Sequence, residues 1–155
     1  MSGGYELERV PFEHPDAVAL RAEHVAFGDQ LYASDPAAAH RSGAEGIDPS
    51  SVVTTVVAYA EAGPIGHACL RRLDGQLEIK RMYVVPGSRG SGVADALLSE
   101  MEDAACHEGA QRIVIHTGDR QHAALRFYAR HGYTPIPIYP PYEQATYSLC
   151  FEKLL

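Results

Sequence analysis

The chain has 155 residues, of which 46% are hydrophobic and 21% charged, a composition that suits one soluble domain with a sizeable core. Its formal net charge of −7 argues against nucleic acid as a partner, and no apolar run approaches the length of a membrane span. No basic-then-apolar leader opens the sequence, so a cytoplasmic protein with no membrane contact is expected.

Tyr5 to Val10 reads as a short strand stopped by Pro11. His14-Pro15-Asp16 punctuates the chain, and a helix is predicted from Ala17 to Tyr32, with Val18, Ala22, Val25 and Leu31 as its apolar positions. Ser34 to Ser51 is poor in large apolar residues; Asp35 and Pro36 suit the start of a short helix over Ala37–Ala39. Val52 to Tyr59 is a nearly unbroken β-branched run, expected as a strand covered on both faces. Turns at Glu61–Pro64 and Asp74-Gly75 separate it from strands at Ile65–Arg72 and Gln76–Val85, which makes an antiparallel meander. A helix follows over residues 91–107, with Val93, Leu97, Met101, Ala104 and Ala105 on one stripe and Gly109 as its stop.

Arg112 to Thr117 is the next strand. Because it follows a strand–helix segment, it is expected to lie parallel to Gln76–Val85 by a right-handed crossover. A second helix spans Arg120–Arg130, with Ala124, Phe127, Tyr128 and His131 on one face. Tyr133–Tyr139, interrupted by Pro135 and Pro137, reads as an edge strand, and Gln144–Leu155 closes the sheet. With no repeat or linker, residues 1–155 form a single α/β domain around a mixed, mostly antiparallel sheet. Cys69, Cys106 and Cys150 give neither a disulfide framework nor a zinc pattern, and each is expected as a buried reduced thiol. The histidines show no metal-ligand spacing, so no metal is expected.

The chemistry concentrates between Leu77 and Ala105. A strand ending at Pro86, a glycine-rich turn and a helix start together make an anion site, because backbone N–H groups point outward there and the helix dipole favours negative charge. Gly90 and Gly92 clear space for a close approach, and Arg89 adds a permanently charged fork. A longer dinucleotide fingerprint and a P-loop ending are both absent.

Arg89-Gly90-Ser91-Gly92-Val93-Ala94 fits R-x-x-G-x-A, preceded by Met82-Tyr83-Val84-Val85-Pro86. It resembles the coenzyme A motif of the GNAT N-acetyltransferase superfamily. Ala124-Leu125-Arg126-Phe127-Tyr128 followed by His131-Gly132-Tyr133 is similar to that family's A-x-x-L-Y-x-x-x-G-F segment. The resemblance covers nearly the whole chain. It implies a single-domain GNAT fold with helices on both faces and a splayed parallel strand pair. The implied reaction moves the acetyl group of acetyl-coenzyme A to a primary amine by direct attack. The amine is a small molecule or a peptide, and homodimers are compatible with the family.

By the same resemblance, backbone groups of Met82, Tyr83 and Val84 pair with the pantetheine arm, and the N–H groups of Arg89, Gly90, Ser91, Gly92, Val93 and Ala94 cradle the pyrophosphate. Gln121 stands where the family often has a coenzyme-contacting Asn. Tyr128 stands at the family's general-acid position; from composition alone it is a core tyrosine beside Phe127. For the base, Glu78 can take the ammonium's proton, or can form a strand-surface ion pair with Lys80. His116, where family members carry Glu before Thr-Gly, is the second candidate; a lone strand histidine also packs or bonds locally. Arg126 and Arg130 either meet coenzyme phosphates or are solvated helix residues, and the solvated reading is preferred. Tyr139 and Tyr142 shape the acceptor pocket or pack over the sheet edge. The first sixty residues hold nine acids against three bases, either a solvated surface or an attraction for a cationic amine. The alternative function is a non-catalytic acyl-coenzyme A binding module, against which Tyr128 argues.

Overall fold

The computed structural model describes residues 4–34 and 46–155, so the short helix expected at Ala37–Ala39 lies outside the described residues. Tight turns and β-branched runs build the meander: β1 (Tyr5–Arg9), β2 (Val52–Ala60), β3 (Gly63–Leu73) and β4 (Gln76–Val84) pair antiparallel in sequence order. Helix α2 (Val93–His107) crosses one face, and β5 (Arg112–Gly118) returns parallel to β4. Helix α3 (His122–Arg130) leads to a short β6 (Thr134–Ile136) and then β7 (Ser148–Leu154), which pairs antiparallel with β5. The strand order among the described residues is β1-β2-β3-β4-β5-β7-β6.

Side-chain alternation sends neighbouring residues to opposite faces. Val56 and Ala58 pack under the stripe of α2 with Leu70, Leu97 and Met101. Val57, between them, packs with Ala17 and Leu20 of helix α1 (Pro15–Leu31). The helices therefore lie on both faces. The segment that follows β6 covers the α1 face farther along, where Tyr139 and Tyr142 pack on Val114 and Cys150. Of the three cysteines, Cys69 and Cys150 are buried as expected, whereas Cys106 on α2 is exposed.

Element boundaries differ from the sequence reading for local reasons. Helix α1 begins at Pro15 because the His14 side chain accepts the Asp16 N–H at 3.1 Å, which makes His14 the cap. Strand β7 begins at Ser148 rather than Gln144. Successive turn bonds Tyr142 N to Tyr139 O, Ala145 N to Tyr142 O and Ser148 N to Ala145 O occupy the backbone before it. Strand β6 stops at Ile136 because Pro137 has no N–H to donate.

Two irregularities open the middle of the sheet. Strands β4 and β5 pair only at Glu78 with Val114 and Ile79 with Ile115, and then part. At the same level β4 carries a bulge: the register against β3 shifts between His67 and Cys69, and Arg81 adopts a left-handed φ of 55°. His67, fully buried on β3, holds this bulge. One ring nitrogen, Nδ1, lies 2.8 Å from the Arg81 carbonyl, and Nε2 lies 3.0 Å from Arg21 Nη1. A carbonyl only accepts and a guanidinium only donates, so the ring is neutral with its proton on Nδ1. Burial, which outweighs the carbonyl bond, lowers the His67 pKa to about 4.

An unfolded histidine titrates near 6.5. Above that pH both states are neutral and His67 has no pH-dependent effect. Between pH 6.5 and about 4 the unfolded chain takes a proton that the folded ring refuses. Stability therefore falls with decreasing pH, by roughly 1.4 kcal/mol per pH unit for this group. Urea unfolding from pH 7 to pH 4.5 should show this slope, and His67→Gln should flatten it by one proton. Parallel pH profiles for the two proteins would contradict the assignment.

Candidate functional site

Where two strands part, their facing backbone edges lose each other as partners and a space opens. Beyond Ile79 and Ile115 that space is divided into two adjoining cavities. The outer one, about 680 Å³, runs between the end of β4, the glycine turn and α3. The inner one, about 90 Å³, lies between the diverging strands, closed by α1 and by Tyr147. Met82, Gln121 and Tyr128 line both.

The outer cavity receives most of the residues expected to hold coenzyme. Met82, Tyr83 and Val84 form its floor, and Arg89, Gly90, Gly92 and Ala94 its end wall. Gly92, with φ of 89°, is the N-cap of α2, and no side chain caps the helix there. A left-handed cap requires glycine, and without a capping side chain the first N–H groups are left to an anionic ligand. Ser91 and Val93 do not line the cavity: Ser91 is exposed, and the Val93 side chain is buried in the core beneath α2. Their contribution is limited to backbone. Arg126 and Arg130, which from the sequence either meet coenzyme phosphates or are merely solvated, both line this cavity, so with Arg89 and Arg120 four guanidinium groups line it. Guanidinium forks match phosphate oxygens. The cavity's size, its uncapped helix start and these cations fit a long, multiply anionic ligand such as coenzyme A.

Tyr128 is 3% exposed, and its hydroxyl has no hydrogen-bond partner among the described residues. Burial raises its pKa, so the phenol stays protonated. It packs edge-on to Phe127 and Tyr133, and the residue lies on the wall that the two cavities share.

Glu78 lies elsewhere. It is fully buried and lines neither cavity. Its Oε1 accepts from Arg71 Nε at 2.8 Å and from the Tyr142 hydroxyl at 3.2 Å, and its Oε2 accepts from the Tyr139 hydroxyl at 2.6 Å. The surface ion pair with Lys80 is corrected on two counts: the partner is Arg71, and Tyr139 and Tyr142 cover this face of the strand. The Tyr142 hydroxyl also accepts from Arg71 Nη2 at 3.0 Å and from Lys80 Nζ at 2.8 Å, which fills its hydrogen-bonding capacity.

His116 does line the inner cavity. Its ring stacks on Tyr142 at 3.7 Å and 3°, and Nε2 lies 2.8 Å from Ser148 Oγ. Burial first, then the positive charges of Lys80, Arg81 and Arg71, lower its pKa to about 3. The ring is neutral at physiological pH and a weak base.

Lys80, His24 and Tyr32 were not singled out from the sequence as cavity residues, yet all line the inner cavity. For Lys80 the signal was present: a charge two residues after Glu78, on the same face of the strand. Tyr32 crosses the end of β5, where its hydroxyl accepts the Arg120 N–H at 2.9 Å and donates to Asp119 at 3.2 Å. A Cβ at Gly118 would lie 2.1 Å from that hydroxyl, so glycine at this position permits the closure. Among the described residues no group of three or more His, Cys, Asp or Glu side chains could hold a metal ion, and no helix is long and apolar enough to cross a membrane.

The sequence model of the acetyltransferase (GNAT) family matches residues 16–133. An uncharacterised N-acetyltransferase of Mycobacterium tuberculosis is 32% identical over 125 residues, covering 79% of this chain and 74% of its own. A Klebsiella pneumoniae structure named as an acyl-CoA N-acyltransferase superposes with a TM-score of 0.80 at 25% identity, over 99% of both chains. PaiA N-acetyltransferase of Thermoplasma acidophilum, solved with coenzyme A, shares the fold with a TM-score of 0.71 at 14% identity, over 98% of this chain and 99% of its own. The chain belongs to the acetyltransferase (GNAT) family and is an acyltransferase.

Proposed function

For this member of the acetyltransferase family, we propose that acetyl-coenzyme A occupies the outer cavity and that a primary amine in the inner cavity attacks it directly. The supporting observation is the position of Tyr128, a protonated phenol with no partner among the described residues, on the wall common to both cavities. Coenzyme binding then falls to the backbone of Met82–Val84, the amides from Arg89 to Ala94, and Gln121. Acetyl-coenzyme A supplies an acetyl thioester when bound.

The chain's own groups divide the work. The edge of β4 released from β5 opens onto both cavities, and its backbone N–H groups can stabilise the oxyanion that forms when nitrogen adds to the carbonyl. As the C–N bond forms and the C–S bond breaks, Tyr128 donates a hydrogen bond to the departing sulfur. Burial raises the phenol pKa above the thiol's value of about 8.5, so the proton stays on Tyr128, the bond strengthens as charge builds, and the thiolate is protonated from water. The proton lost by the nitrogen leaves to water. Glu78 is occupied by Arg71, Tyr139 and Tyr142, and His116 is too weak a base to hold it.

Tyr128→Phe should lower kcat by about 10² to 10⁴ and leave coenzyme A affinity, measured by calorimetry, unchanged. Undiminished turnover would remove Tyr128 from the chemistry. With water as proton acceptor, log kcat/KM should rise with unit slope from pH 5 to pH 7.5, following the ammonium of the acceptor. With His116 at about 3, no inflection is expected near 6.5. An inflection there that disappears in His116→Gln would restore the histidine as base.

A further inference from the structure

Buried charges in folded proteins are paired, because an isolated ion in a low-dielectric interior is costly. Among the described residues three charged side chains are buried: Arg71, Glu78 and Lys80, at 6%, 0% and 6% exposure. Arg71 and Glu78 satisfy each other at 2.8 Å. The phenols of Tyr139 and Tyr142, buried against Glu78, are kept protonated, and the nearby rings of His67 and His116 are neutral. The buried cluster therefore carries one positive charge in excess, on Lys80. Its ammonium donates to the Tyr142 hydroxyl and lies 4.8 Å from the ring of the same residue. No carboxylate is its hydrogen-bond partner, and among the described residues none lines the inner cavity that Lys80 lines.

An amine that brought only a second positive charge into this space would meet repulsion. We propose that the acceptor amine carries its own carboxylate, as a small amino acid does, and that this carboxylate pairs with Lys80 Nζ. The idea rests on the acetyl-transfer reading and specifies its acceptor. Arg81 lines the same cavity, so an anionic group there meets a second positive charge as well. The cavity of about 90 Å³ suits a small molecule. Lys80, which is held at the rear by Tyr142, fixes one end of the acceptor. The nitrogen then reaches toward Tyr128 and Met82 at the opening into the outer cavity.

The test measures thiol release from acetyl-coenzyme A with free amino acids, each beside its amide and its decarboxylated amine. The acids should exceed their matched amides in kcat/KM by about tenfold or more, mainly through KM, as expected of a charged hydrogen bond. Lys80→Met, which keeps the length and removes the charge, should erase that preference. The Tyr142 hydroxyl keeps Arg71 and Glu78 as partners, so the variant should fold with an equal or higher Tm. Equal rates for acid and amide, or a preference that survives Lys80→Met, would overturn the proposal and leave acetyl transfer intact. If coenzyme A binds but no amine releases thiol, the transfer reading fails. Calorimetry of N-acetylated amino acids against their N-acetylated amides, with coenzyme A present, then decides the carboxylate site: tighter binding of the acids supports it and equal binding rejects it.

Discussion

The parting of β4 from β5 is the constraint on which the rest of this molecule depends. A parallel pair inside a sheet normally continues until one strand ends, because each buried N–H and C=O needs a partner. Here pairing stops at Ile79 and Ile115, although β4 continues to Val84 and β5 to Gly118. The backbone beyond that point is polar, rigid on its β3 side and unclaimed by β5. The bulge at Arg81 turns β4 away, and buried His67 bonds the bulge carbonyl. Tyr32 and Tyr147 close the far side. These groups hold an open seam in the interior of an otherwise packed domain.

Behind the seam lies a polar cluster that joins distant parts of the chain. Arg71 comes from β3, Glu78 and Lys80 from β4, and Tyr139 and Tyr142 from the segment before β7. The Tyr142 hydroxyl accepts two bonds and donates one, so no capacity is left over. Its ring supports His116 by stacking. Replacing such a cluster by apolar side chains is often neutral or stabilising, so its presence is weak evidence for stability. Its consequence for chemistry is clearer. It keeps Glu78 out of the inner cavity, which Lys80 and Arg81 line instead.

The sequence was most informative where the structure is local. The stripe of Val93, Leu97, Met101, Ala104 and Ala105 is buried as its spacing requires. The glycine turn, helix α3 and the parallel return of β5 were legible because motif, periodicity and strand–helix–strand order each involve short stretches of chain. Burial decided by remote segments was not legible. Glu78 and Lys80 look like a strand surface until Tyr139 and Tyr142, some sixty positions later, cover them. His67 sits in an apolar run, and only the bulge opposite gives it a role. Arg126 and Arg130 look solvated on a helical wheel because the outer cavity exists only once α3 faces the glycine turn. The start of β7 was misplaced because bonds from Tyr139 to Ser148 form turns that alternating side chains do not announce.

The central claim is that the seam between β4 and β5 is where a thioester carrier and an amine meet, with Tyr128 between them. A crystal structure with coenzyme A bound tests it most directly. The account predicts the pyrophosphate on the amides from Arg89 to Ala94, the pantetheine arm along Met82–Val84, and the sulfur within hydrogen-bonding reach of the Tyr128 hydroxyl. Coenzyme A bound outside the seam, or its sulfur turned away from Tyr128, would contradict it.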